Sequence, residues 1–238
     1  MLKNILFSGL IALFLLMAGC QDDEPFEPLE QSRTYMNLLN AYGPVGKVDV
    51  YLRSFESNGL FASNVNFLES WPKGGYASLL TNAGFDSLEK EPDVFLRMVD
   101  RSTNTEIITE QGFRLNPEVR STFVLIDSIG KPKLVKTIDT FESPGDTAAN
   151  VRFMNVNYTM TSVSLQADTS LLIDKLNFLN YSSFKQMLPG TYDFEFVHDQ
   201  TGTVVSTLLG VNIEKGKTYS FYLTQQGGAP MSGVERLE

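Results

Sequence analysis

A set of short landmarks occurs twice along the chain, in the same order. Thr34-Tyr35-Met36-Asn37 is matched by Arg152-Phe153-Met154-Asn155, and Asn66-Phe67-Leu68 by Asn177-Phe178-Leu179. Phe95 to Asp100 aligns with Phe194 to Asp199, and Gly112-Phe113-Arg114-Leu115 with Gly210-Val211-Asn212-Ile213. Phe123 and Leu125 then answer to Phe221 and Leu223. Self-similarity over that length predicts two copies of one domain rather than a single large core. The matches place the first copy at 33–127 and the second at 151–226. A linker is expected over 128–150 and a flexible tail over 227–238.

Within each copy the apolar residues recur with period two. Val48, Val50 and Leu52 alternate with Asp49, Tyr51 and Arg53; Tyr219, Phe221 and Leu223 alternate with Thr218, Ser220 and Tyr222. Alternation of this kind puts one face of a strand in a core and the other toward water. Asp100-Arg101-Ser102-Thr103-Asn104-Thr105 and Asp199-Gln200-Thr201-Gly202-Thr203 sit between apolar runs, with the residue types hairpin turns require. The expected fold is therefore all-β, two tandem β-sandwich domains of the immunoglobulin-like/prealbumin-like kind. In the strand at 94–98, Val94, Leu96 and Met98 share a face, whereas the matched Phe194 and Phe196 fall on the other, which marks a one-residue slip in that alignment.

Ahead of the repeats lies an export signal. Lys3 is its positive start, Ile5 to Met17 an apolar run of 13 residues, and Met17-Ala18-Gly19-Cys20 its end. That run is too short for a membrane-spanning helix, which needs about 20 residues. Met17 to Cys20 resembles the lipobox of bacterial lipoproteins. The resemblance implies removal of residues 1–19, diacylglycerol on the Cys20 thiol and acylation of the new amine, so the membrane is a partner through a covalent lipid. Residues 20–32, which include Gln21-Asp22-Asp23-Glu24 and two prolines, have little apolar surface to bury and are expected to form an acidic tether. The acidic run resembles the signals that carry some lipoproteins to the cell surface, which implies an outer-membrane, surface-exposed address; a spacer facing the periplasm is the alternative.

Composition removes several function classes. Residues 20–238 carry 18 basic and 28 acidic side chains, a net charge of −10 that repels nucleic acid. With Cys20 the only cysteine, no internal disulfide can form. His198 is the only histidine, and its aligned mate, Val99, marks a strand position rather than a catalytic base. Gly210 to Thr218 ends in Gly216-Lys217-Thr218, but five residues separate the glycines where a phosphate loop has four, and a hairpin turn is expected there. Neither catalytic nor metal-ligating residues are assigned, and no cofactor is expected. Asp86-Ser87-Leu88, Asp127-Ser128-Ile129 and Asp146-Thr147-Ala148 resemble bacterial O-glycosylation sites and equally suit turns.

Arg152-Phe153-Met154-Asn155-Val156-Asn157, Leu176-Asn177-Phe178, Leu188-Pro189-Gly190-Thr191-Tyr192 and Gly216-Lys217-Thr218-Tyr219-Ser220-Phe221 together resemble the bacterial domain-of-unknown-function family numbered 4397. The resemblance covers 151–225. In the first copy Trp71-Pro72-Lys73-Gly74-Gly75-Tyr76 and an added stretch replace the Pro-Gly-Thr-Tyr segment. The family implies tandem sandwiches of cell-envelope proteins and implies no activity.

The leading reading is a non-enzymatic, cell-surface-anchored lipoprotein acting as an adhesion, interaction or assembly module. A glycan-binding accessory lipoprotein of an outer-membrane nutrient-uptake system is the alternative, and a carboxylate-based hydrolase a third. Between matched landmarks the first copy carries 12 and 7 extra residues, and this enlarged region holds Trp71, the single tryptophan, with Tyr76 nearby. Trp71 and Tyr76 are the candidate contacts for a glycan or a surface protein; Trp71 has the competing role of closing the end of the core. Phe123 and Phe221 are expected in two cores that unfold separately.

Overall fold

The computed structural model describes residues 31–54, 58–82, 94–116, 118–140 and 143–237. The signal 1–19, Cys20, the tether up to residue 30 and Asp86-Ser87-Leu88 lie outside the described residues. The first copy comprises β1 (Gln31–Ala41), β2 (Lys47–Ser54), β3 (Asn58–Asn66), β4 (Ser70–Trp71), β5 (Ala77–Asn82), β6 (Val94–Asp100), β7 (Thr105–Phe113), β8 (Arg120–Asp127) and β9 (Pro132–Ile138). The second comprises β10 (Ala149–Asn155), β11 (Ser162–Ala167), β12 (Ser170–Asn177), β13 (Lys185–Met187), β14 (Gly190–His198), β15 (Thr203–Ile213), β16 (Thr218–Gln226) and β17 (Ala229–Arg236). The fold is all-β, two sandwiches in tandem, as the alternation predicts.

Each sandwich is built the same way. One sheet runs β4-β1-β8-β9, with β5 also on β1, and its counterpart runs β13-β10-β16-β17. The other sheet runs β3-β2-β6-β7, and its counterpart β12-β11-β14-β15. The first strand of each copy pairs in parallel with a strand more than sixty residues on, β1 with β8 and β10 with β16, while every other ladder among the described strands is antiparallel. The apolar faces meet in two cores, one around Leu38, Leu52, Leu96 and Phe123, the other around Phe153, Phe194, Phe196 and Phe221. Edge-to-face rings fill them, Phe113 against Phe123 at 4.8 Å and Phe153 against Phe196 at 5.3 Å.

Hydrogen bonding fixes which residues are equivalent. Asn40 and Asn155 each donate from Nδ2 to a carbonyl of the third strand, Val65 and Leu176, and each accepts on Oδ1 the amide two residues on. Asn40 is thus the mate of Asn155, and the landmark at Thr34 to Asn37 is corrected by three residues. Asn66-Phe67-Leu68 and Asn177-Phe178-Leu179 form the same turn, with Leu68 and Leu179 at φ 62° and 67°. At β6, Leu96 and Met98 pair with Leu52 and Val50 as Phe194 and Phe196 pair with Ala167 and Leu165, so the slip marked by the alternation is one residue. The mate of His198 is consequently Asp100 rather than Val99.

Three boundaries differ from expectation. Residues 128–150 are not simply a linker, because β9 hydrogen-bonds along β8 from Asp127–Pro132 to Ser121–Ile138 and β10 begins at Ala149. The tail 227–238 is not free, because β17 pairs with β16 over eight residues. β1 begins at Gln31, so it takes in the end of the tether. Both unforeseen strands lie at sheet edges and begin at or beside proline, at Pro132 and Pro230, where a missing N–H costs no ladder bond.

Candidate functional site

The β1-β8 and β10-β16 sheets are buried on both faces. Every residue of β10 is buried, and every residue of β16 except Gln226. The expectation of one solvated face therefore fails for these strands. Their second faces meet each other, and Leu39, Ala41, Val124 and Ile126 of the first copy pack with Met154, Val156 and Tyr222 of the second. The order of layers is outer sheet, inner sheet, inner sheet, outer sheet, and both copies belong to the one compact unit Gln31–Glu238.

Polar residues on this seam find partners across it. Thr224 Oγ1 donates to the Ala41 carbonyl at 2.7 Å, and Tyr222 Oη to the Leu68 carbonyl at 2.9 Å. Tyr42 and Gln225 form a parallel bridge. Two glycines leave room for this approach. A Cβ on Gly43 would sit 2.2 Å from the Gln225 carbonyl oxygen, and one on Gly233 would sit 2.3 Å from Tyr222 Oη. Burial, with Glu235 and Glu69 in support, pushes the Tyr222 hydroxyl above its ordinary range.

At one place the seam encloses charge. Arg152, 0% exposed, lies on β10 with Nη1 2.6 Å from Asp139 Oδ1, an ionic contact off the direction of a well-aligned hydrogen bond. Its Nε donates to Ser220 Oγ at 2.7 Å, and Phe184 lies under the guanidinium at 4.8 Å. Asp139, just past β9, also accepts from Tyr76 Oη at 2.8 Å, Thr122 Oγ1 at 2.5 Å and Thr137 Oγ1 at 3.0 Å. Burial, then the Asp139 charge, pushes the Tyr76 hydroxyl well up, so it stays a donor. Surrounded by these partners, the pair is placed to hold the sandwiches in register and closed to a substrate.

The two candidate contacts point different ways. Trp71 pairs with Leu38 and packs half-buried on the first core, its ring 4.5 Å from Phe61 in edge contact. Tyr76 turns to the seam. Between them the enlarged loop is clasped to the second sandwich, with the Gly74 amide donating to Glu235 Oε1 at 3.2 Å and Gly75 beside the Leu237 carbonyl. Trp71 and Tyr76 thus form no common platform. Asp139 and Arg152 escaped sequence reading; the available signal was an arginine inside an otherwise buried strand.

Other flagged residues have local roles. His198 Nδ1 lies 3.0 Å from Thr201 Oγ1 in the β14–β15 turn. Gly216, at φ 71°, turns the chain from the outer sheet to the inner one rather than forming a hairpin, since β15 and β16 do not pair. Asp127 Oδ1 accepts the Gly130 amide and closes the β8–β9 turn, while Asp146 and Thr147 are exposed in a turn. Among the described residues no group of three or more His, Cys, Asp or Glu is placed to hold a metal ion.

The chain matches no protein-family model and no curated protein. Among solved structures it is similar to one described as "a putative cell adhesion protein from Bacteroides uniformis ATCC 8492", at 7% identity and a TM-score of 0.22, over 88% of this chain and 98% of that one. A likeness at that level carries no argument about this chain's fold or role.

Proposed function

We propose that this protein is a non-enzymatic lipoprotein of the outer-membrane surface, tethered through lipid on Cys20, whose tandem sandwiches serve as an adhesion, interaction or assembly module. Its domains are read as relatives of the family numbered 4397. The observation that carries the reading is the sealed seam. The Arg152–Asp139 cluster is enclosed by packing rather than open to a reactant, and the two copies are joined into one body that turns its outer sheets to solvent. Supporting the anchor is the sequence Met17-Ala18-Gly19-Cys20 after a short apolar run.

The test is the intact mass of protein extracted from membranes, beside that of Cys20→Ala. Wild type is expected to carry lipid mass on Cys20 and to sediment with membranes, and the variant to do neither. Protease added to whole cells is expected to degrade the sandwiches. Wild type without lipid mass sinks the anchor, and protection from protease in intact cells sinks the surface address.

A further inference from the structure

The outer sheets of the two copies have the same fold and opposite chemistry. On the first, Tyr51 and Arg53 of β2 stand beside Arg97 and Phe95 of β6, with the Arg97 guanidinium 4.1 Å over the Tyr51 ring and that of Arg53 3.9 Å over Phe95. On the second, the pairing registers put Gln166 where the first has Tyr51, and Glu195 where it has Arg97. Asp168 and Asp193 likewise replace Arg53 and Phe95, the Asp168 amide donating to the Asp193 carbonyl. All four positions differ, and both arginines have become acids. One outward position is kept: Leu60, opposite Tyr51, is 56% exposed, and Leu171, opposite Gln166, is 58% exposed. Val204 and Leu209 on β15 add exposed apolar surface to the acidic face.

We propose that these faces bind each other between molecules, the arginine-aromatic sheet of one copy stacking on the acidic sheet of the next. The occupant is a second copy of this chain because the two faces complement one another in charge and each brings an exposed leucine. Pairing of acidic face with acidic face would set carboxylates against carboxylates, and pairing of arginine face with arginine face would leave the carboxylates of the acidic face without a cation. Glu110 and Glu106 already partner Arg53 and Arg97, but these pairs are nearly half exposed and weakly held. A guanidinium has five N–H donors, and one such contact does not exhaust them. Since the two faces differ and lie on opposite sides of the paired inner sheets, the contact is head-to-tail and continues from copy to copy, building a row instead of a two-fold dimer.

The size of the faces sets the strength. Four strands about 4.8 Å apart and roughly 20 Å long give about 400 Å² per face. Some 800 Å² in total lies at the weak, transient end of specific interfaces. Rows would therefore be sparse in dilute solution and fill where lipid anchoring concentrates the chains. This deepens the assembly reading and rests on it, but its test needs no assumption about the anchor or the cell surface.

The full chain, extracted from whole cells in mild detergent whichever fraction holds it, is examined by sedimentation equilibrium from about 10 μM to 1 mM, in about 0.1 M salt, where screening beyond ~10 Å quiets the repulsion between whole acidic chains. The protein mass is expected to rise past that of a dimer. The pair Arg53→Gln and Arg97→Gln, and separately the pair Asp193→Asn and Glu195→Gln, are each expected to weaken association about tenfold or more. Both are expected to shift the thermal transition only slightly, since the arginine pairs lost are exposed and Asp193→Asn keeps an oxygen to accept the Gly210 amide. Mixing the two variants is expected to restore 1:1 pairs and no longer species, because each retains one good face. A protein monomeric to 1 mM, or association unaffected by the changes on either face, overturns the proposal; insensitivity to the acidic-face changes alone would mean arginine faces pairing with one another.

Discussion

Asp139 and Arg152 depend on each other because neither has water to fall back on. Asp139→Ala leaves a buried guanidinium uncompensated and strands the hydroxyls of Tyr76, Thr122 and Thr137, so a loss of about 3–5 kcal/mol is expected in urea unfolding. Asp139→Leu combined with Arg152→Met removes both charges, and the pair should cost well under the sum of the two single changes. Additive costs would mean the charges do not act as a pair. Little of this was legible beforehand. Arg152 sat in a recognised motif, but Asp139 lies thirteen positions earlier in what reads as a linker, and only the folding of β9 against β8 brings it under β10. Asn40 shows a related difficulty. Asn37 and Asn40 are three residues apart, either can be set against Asn155, and only the hydrogen bonds to Val65 and Leu176 decide.

Strands with two buried faces look, in sequence, like strands with one. Thr218, Ser220 and Thr224 of β16 are small and polar, and alternation assigns them to water, yet all three are buried. A threonine whose hydroxyl reaches a carbonyl of the other sandwich, as Thr224 reaches Ala41, is as well satisfied there as in solvent. The period-two pattern thus recovers every core-facing residue of β2, β6 and β16 and is silent about a second packing surface. The closeness of that surface can be tested at the Tyr42–Gln225 bridge. Gly43→Ala should shift the unfolding midpoint by an amount equivalent to roughly 1–3 kcal/mol, because its Cβ meets backbone that has nowhere to go. Gly46→Ala, three residues on with nothing within 4 Å, should be close to neutral and serves as the control. Equal effects of the two would argue that the sandwiches stand further apart than this.

For the whole molecule the seam changes what the repeat implies. Two copies of a domain joined by a linker would melt one at a time, whereas two copies sharing a buried apolar layer, crossing hydrogen bonds and an enclosed ion pair should melt together. Phe123→Ala and Phe221→Ala remove equivalent, fully buried rings from separate cores, each at a cost of about 3–5 kcal/mol. In calorimetry each should lower a single transition; two resolved peaks in either variant would show the copies to be independent. The repeat itself was readable because Asn66-Phe67-Leu68 and Asn177-Phe178-Leu179 form the same turn, with Leu68 and Leu179 both at positive φ, and because Phe123 and Phe221 fill the same fully buried place in each core. The seam was not, since nothing in either copy alone announces the other as its partner. The parallel pairing of β1 with β8 also has a mechanical meaning. β1 lies between β8 on one side and β4 and β5 on the other, with its ladder bonds across its axis. A pull along that axis at Gln31 loads the seven β1–β8 rungs together in shear, so the strand that takes the strain resists being peeled away a bond at a time.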